Sequence, residues 1–245
     1  VNVALRRSAL GLDQAGRATW QTRVAEVALD PTRCAVLVCD VWDGHWCRGA
    51  RERLAELVPR MDVTLRAARK RGMSIVHAPS DTVDFYAASP ARARILAVSR
   101  VDPPPDLSLP DPPLPIDDSD HGADTGEKEP YRAWRRQHAG LYIDDAWDVI
   151  SDDGAEIYGW LQHRGIAWLF ILGVHTNMCV LHRSFGIKQM TRWGVQTGLI
   201  RDLTDCMYNP ACPPYVSHAE GTKLVVGYIE KHWCPTLHSR CIVDL

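Results

Sequence analysis

Apolar positions along the chain fall into short unbroken runs separated by longer amphipathic stretches. Residues 35–42, AVLVCDVW, form a nearly continuous apolar run that ends in an acid, the pattern of a central parallel strand buried on both faces. Over residues 50–70, Leu54, Leu57, Val58, Met61, Leu65 and Ala68 recur at helical spacing, and Gly72 closes that helix. Residues 74–77 read as a second strand, 81–98 as a loop with a short helix, and LYI or DVI within 141–150 as a third strand. Residues 153–164 predict a helix ending at Gly165, and 167–174 a fourth strand. A helix over 177–193, a fifth strand over 195–201, a long helix over 216–232 and a short sixth strand over 236–239 complete the pattern.

Strands alternating with helices predict an α/β fold: three layers, a doubly wound, Rossmann-like and mostly parallel sheet of about six strands, with right-handed crossovers. Two stretches fall outside that alternation. Residues 1–33 have weak periodicity and read as an N-terminal arm packing on the domain or on a partner, which leaves 34–245 as a single domain. Within the domain, residues 101–133 form an insertion rich in Pro, Asp and Gly (VDPPPDLSLPDPPLP, then IDDSDHGADTGEKEP) that cannot be a core element. A segment of that length is a lid, an arm to a neighbouring subunit or a disordered stretch; a surface-hugging arm is the expectation.

Composition narrows the function classes. With 46% apolar and 24% charged residues, the 245-residue chain is ordinary for one globular domain, and a net charge of −2 makes no electrostatic case for nucleic acid or an anionic membrane. No run is long enough to span a membrane, and VNVALRRSALGLDQAGRATW lacks the layout of a signal peptide. A cytoplasmic location is therefore expected, although an export signal removed ahead of Val1 would leave the same sequence. Eight cysteines without a C-x-x-C pair suggest reduced thiols, with one disulfide among the late cysteines as the alternative.

Candidate chemistry concentrates in residues 167–187, AWLFILGVHTNMCVLHRSFGI. The apolar run Trp168–Leu172 is broken by Gly173, and His175, Thr176 and Asn177 suit a turn and a helix cap. Cys179 then falls in the expected first helical turn, where free N–H groups and the helix dipole favour a thiolate. The other reading is a buried cysteine acting as a small hydrophobe.

GVHTNMCV resembles the nucleophile motif of the isochorismatase-like cysteine hydrolases, a superfamily that includes nicotinamidases, carbamoyl-amide hydrolases and isochorismatase, and the likeness runs in order from about Cys34 to about Ser239. The resemblance implies three catalytic residues: an aspartate after the first strand, a lysine after the third, and the cysteine. Asp40, in CDVWDGHWC, and Cys179 match two of these positions, but AWDVISDDGAEI holds no lysine. Lys128 lies upstream in the insertion, and Arg135 and Arg136 in YRAWRRQH are better placed. An arginine can neutralise charge there but cannot shuttle a proton.

Trp42, Trp46 and Trp134 are candidates to wall a flat, partly apolar substrate pocket, with core packing as the alternative, and His45, His77, His175, Thr176 and Met178, at the carboxyl edge of the expected sheet, are further candidate substrate contacts. The resemblance implies a cis bond at Val174–His175 and oxyanion donors on the backbones of Met178 and Cys179. Asp202 and Asp205 are expected to hold a loop. His45 and His77, with Asp43 or Asp81, form a candidate site for Zn²⁺ or another divalent metal, as in related nicotinamidases; ordinary hydrogen-bonded histidines, one of them carrying a proton, are the alternative. The implied function is hydrolysis of a small amide or related C–N substrate through a covalent intermediate, with no required cofactor and a homo-oligomeric assembly. A catalytically silent binding member and a metal-dependent nicotinamidase-like enzyme are the competing readings.

Overall fold

The computed structural model describes residues 1–244. An eight-stranded sheet, in the order β2-β1-β8-β7-β6-β3-β4-β5, forms its centre. The strands are β1 (Asn2–Leu12), β2 (Ala18–Ala28), β3 (Cys34–Cys39), β4 (Ser74–Ala78), β5 (Val149–Ile150), β6 (Trp168–Val174), β7 (Thr197–Asp205) and β8 (Thr236–Leu237). β3 to β8 are parallel to one another, and β1 and β2 form an antiparallel hairpin whose β1 pairs antiparallel with β8. The helices are α1 (Arg48–Lys70), α2 (Pro90–Leu96), α3 (Gly154–His163), α4 (Cys179–His182), α5 (Ile187–Arg192), α6 (His218–His232) and α7 (Arg240–Val243).

The three layers follow from the period-two alternation of a strand buried on both faces. In β3, Ala35, Leu37 and Cys39 pack into one cluster with Ile157, Phe185 and Ile229. Val36 and Val38 face the opposite cluster, with Met61, Leu65 and Ile242. Each large apolar side chain enclosed this way contributes about 1.5–3 kcal/mol before entropy is counted.

The structure departs from the sequence expectation in three places. The sheet has eight strands because residues 1–28 are a hairpin that extends it, not an irregular arm. Only Val3 and Leu5 of β1 are buried, so the inward alternation is too short to read through Arg6 and Arg7. The fifth parallel strand runs four residues further than expected, so Asp202 and Asp205 lie within β7. Finally, the helix expected over 177–193 is two short helices. It breaks at Arg183, whose ψ of 157° is extended, and resumes after Gly186.

The Pro/Asp-rich insertion lies against the body of the protein. Ile116 and Ala123 anchor it in apolar surroundings, while its aspartates fasten it. Asp111 accepts from Lys188 Nζ at 2.6 Å, Asp118 from Asn177 Nδ2 at 2.7 Å, Asp120 from Asn209 Nδ2 at 2.8 Å and Asp124 from Arg53 Nη1 at 2.6 Å. The acid content that kept this segment out of the core is what docks it.

Gly173 lets β6 approach β3. Its φ is +122°, and a Cβ there would lie 2.0 Å from the Cys39 carbonyl oxygen. Gly173→Ala is expected to cost at least about 2–3 kcal/mol and to lower the Tm by about 5 °C or more. Thermal unfolding at the wild-type midpoint would contradict this close approach.

Candidate active site

β3 and β6 are adjacent, parallel and in register, with Cys39 opposite Gly173, so the residues that follow them emerge side by side at the carboxyl edge of the sheet. This is where open α/β sheets bind ligands. Asp40 leaves β3 with a φ of +48° and is completely buried. Its Oδ1 accepts the Ser80 N–H at 2.8 Å, and its Oδ2 accepts Arg183 Nε at 2.9 Å. The Cys179 thiol lies close enough to feel the charge of the same carboxylate, although no hydrogen bond between the two is among the described ones. Asp40, Cys179 and Arg183 thus form one contiguous cluster.

Arg183 is the residue that sequence reasoning missed. It lies four positions after Cys179, at the point where α4 stops. In an uninterrupted helix it would continue the 177–193 segment; the break directs its guanidinium back to Asp40, over the Trp42 ring at 5.9 Å and 3.5 Å from Asp81. The available signal was an arginine one helical turn beyond the nucleophile, with no indication that the helix would end there.

The cations expected beside Asp40 are elsewhere. The backbone N–H groups of Arg135 and Arg136 donate to Asp43 Oδ1 at 2.9 and 3.3 Å, which ties their segment to the loop after β3. The Arg136 guanidinium pairs with Asp43 at 3.7 Å and covers the Phe85 ring. Lys128 is exposed on the insertion, and none of the described ion pairs includes it. Asp153 caps α3.

Burial sets the proton affinities. It raises Asp40 above the usual carboxylate range, against the opposing pull of Arg183. It pushes the Cys179 thiol up to about 12, reinforced by the Asp40 charge. The thiolate expected from a helix dipole is therefore not the resting form, because α4 is a single turn and burial outweighs its small dipole. Burial also works against the charge of Arg183, but Asp40 and then Cys179 hold it protonated above its ordinary range.

Several expected contact residues are structural. His77 is fully buried with Nδ1 2.9 Å from Gln137 Oε1 and Nε2 2.9 Å from Asp148 Oδ2, and Arg69 holds both Asp148 oxygens, with Nε 2.8 Å from Oδ1 and Nη2 2.6 Å from Oδ2. Both of its ring nitrogens are thereby engaged, so His45 and His77 do not make a metal pair, and no group of three or more His, Cys, Asp or Glu among the described residues is arranged to hold one. Trp46 packs with Ala50, Ala123 and Met207, anchoring the insertion. Thr176 is buried, its hydroxyl 2.7 Å from that of Thr204. Asp202 holds Ser239, and Asp205 joins His218 Nε2 at 2.8 Å to Arg53 Nε at 2.9 Å. All eight cysteines are free.

An aromatic wall stands beside the cluster. Trp42 and Trp134 stack at 4.0 Å with a 7° tilt, and the His45 ring lies 6.1 Å from Trp134 and 4.8 Å from His175. The Cys47 N–H donates to His45 Nδ1 at 3.2 Å, which puts the proton of neutral His45 on Nε2. Burial lowers His45 to about 4 and His175 to about 3. The Val174–His175 bond is cis. The Met178 N–H is engaged with the His175 carbonyl at 3.0 Å and is not free to bind an oxyanion, whereas that of Cys179 meets no acceptor among the described hydrogen bonds.

Two cavities flank the site. One, of about 500 Å³, is lined by Cys179, Arg183, Met178 and His182 together with Leu114 and Asp118 of the insertion. The other, of about 840 Å³, is lined by His45, Trp134, Arg132, Arg135 and Asp81. The Arg183–Asp81 pair lies between them, each partner lining one cavity.

Among solved structures, a cysteine hydrolase from Pseudomonas syringae pv. phaseolicola 1448A aligns with a TM-score of 0.55 at 16% identity, over 88% of this chain and 93% of that one. An isochorismatase family protein from Desulfovibrio vulgaris subsp. vulgaris str. Hildenborough aligns with a TM-score of 0.51 at 14% identity, over 86% and 97%. No family model and no curated protein matches the sequence. The fold is therefore isochorismatase-like. No helix among the described residues is long and apolar enough to cross a membrane.

Two outcomes follow from these charges. A carboxylate can accept the Cys179 proton only when ionised, so alkylation of Cys179 is expected to fall as pH drops through the raised Asp40 pKa. Arg183→Ala moves that acid limb up by about one pH unit or more, and Arg183→Lys moves it less; an unmoved limb in the alanine variant would detach Arg183 from Asp40. In addition, His45 and His175 stay neutral when folded but take up protons near pH 6.5 when unfolded. Each therefore removes about 1.4 kcal/mol of stability per pH unit as pH falls from about 6.5 toward its folded value. Urea titrations at several pH values should show a shallower dependence in His45→Asn, and equal slopes would contradict a neutral buried His45.

Proposed function

We propose that the protein is a cysteine-nucleophile hydrolase of a small amide or related C–N substrate. The observation that carries this reading is the cluster of Cys179, Asp40 and Arg183 at the mouth of a cavity on the carboxyl edge of the sheet. A core cysteine gains nothing from a buried carboxylate and its paired arginine set beside it.

In the proposed reaction, Cys179 Sγ attacks the substrate carbonyl carbon while its proton passes to Asp40. The C–N bond of the tetrahedral adduct then breaks, Asp40 returns the proton to the departing amine, and an acyl thioester remains on Cys179. Water attacks that thioester with Asp40 again taking a proton, the C–S bond breaks, and the proton goes back to sulfur as the acid product leaves. The thiol near 12 and the raised carboxylate suit proton transfer concerted with attack rather than a standing thiolate. Arg183 remains protonated throughout and offsets the negative charge that moves between carboxylate and sulfur. The unengaged Cys179 N–H is the candidate oxyanion donor. No step needs a metal, and the histidines named as ligands are better explained by their hydrogen bonds.

A panel of small primary amides and ureido compounds tests the reading. Cys179→Ala is expected to lower turnover by at least about a thousandfold, and iodoacetamide is expected to alkylate Cys179 ahead of Cys212 and the other six. Turnover that survives Cys179→Ala would refute nucleophilic catalysis. Alkylation of Cys179 no faster than Cys212, with no amide turned over, would leave the fold as a binding module.

A further inference from the structure

The insertion supplies a wall of the nucleophile's cavity, and that wall bears a carboxylate. Asp118 and Leu114 line the same cavity as Cys179 and Arg183. Asp118 Oδ2 accepts a hydrogen bond from Asn177 Nδ2 at 2.7 Å. Asn177 cannot adjust to any other partner: its Oδ1 accepts the Met207 N–H at 2.8 Å and its Nδ2 also donates to the Met207 carbonyl at 3.0 Å. Both amide protons of Asn177 are thus used, and Asp118 is held by one oxygen. The other oxygen, Oδ1, meets no donor among the described hydrogen bonds.

We propose that Asp118 is a specificity-determining residue whose free carboxylate oxygen accepts an N–H from the leaving-group side of the substrate, so that the site selects primary amides and ureido groups over esters of the same acid. This rests on Cys179 being the nucleophile. The chemistry is that of an ionised acceptor: it can take a hydrogen bond from an –NH₂ group, and it has no proton to offer an ester oxygen, which also carries none. An unmet hydrogen bond to a charged acceptor discriminates more strongly than loss of one apolar contact. Arg183, on the same cavity, is committed to Asp40 and Asp81 and does not pair with Asp118.

The test compares Cys179 alkylation by iodoacetamide and by methyl iodoacetate, two neutral reagents that differ at the –NH₂ group, with each rate divided by that for glutathione. In the wild type the normalised ratio should favour iodoacetamide by about tenfold. It should fall severalfold in Asp118→Asn, which keeps the size of the side chain, and to near unity in Asp118→Ala. A wild-type ratio near unity, or a ratio unchanged in Asp118→Asn, would overturn the assignment. A ratio that falls only in Asp118→Ala would identify a steric wall and overturn it as well. If neither reagent modifies Cys179, the nucleophile reading itself has failed, and this assignment fails with it in a visibly different way.

Discussion

A carboxylate with no solvent exposure has to be matched by a cation, and the site is arranged around meeting that demand for Asp40. Removing an ionised carboxyl from water costs several kcal/mol, more than one backbone hydrogen bond from Ser80 returns. Arg183 offsets part of the remainder, which burial still outweighs, and it reaches Asp40 because α4 ends after one turn and the chain leaves in an extended conformation. Cys179 is placed by the same turn, so nucleophile and counter-cation arrive together on one short stretch of chain. Asp40 arrives from the neighbouring strand, and the glycine opposite Cys39 permits the close approach that brings the two sheet edges together.

Exchanging a lysine for an arginine at the acid–thiol pair changes the division of labour. A lysine can in principle give up a proton when buried, whereas a guanidinium cannot. In the proposed reaction, proton movement is then confined to Asp40 and sulfur, with Arg183 as a fixed charge. Its planar group suits that role, since it hydrogen-bonds Asp40, approaches Asp81 and lies over the Trp42 ring at once.

The insertion shows how polar composition can serve a binding site. Its prolines keep it from forming sheet or helix, and five of its aspartates find donors on the body of the protein, among them Asp111 with Lys188 and Asp124 with Arg53. Between them Leu114 and Asp118 reach the cavity at Cys179, so the segment least suited to the core shapes the space where a substrate would sit. His77, Trp46 and Thr176 show the reverse: residues at the right edge of the sheet whose polar or aromatic groups are spent on the scaffold.

Local pattern carried the layered architecture, because a strand buried on both faces leaves an unbroken apolar run and a packed helix leaves a 3.6-residue repeat. The six parallel strands, the long helices and the positions of Asp40 and Cys179 at strand ends were legible for that reason. The hairpin over residues 2–28 was not, since much of it faces solvent and its alternation is confined to Val3 and Leu5. Nor was Arg183, because the helix break after His182 and the carboxylate 143 positions earlier that Arg183 then meets leave no local pattern. Which of several nearby cations meets a buried acid, and which wall an irregular insertion builds, are set by distances between segments remote in sequence, and those exist only once the sheet has formed.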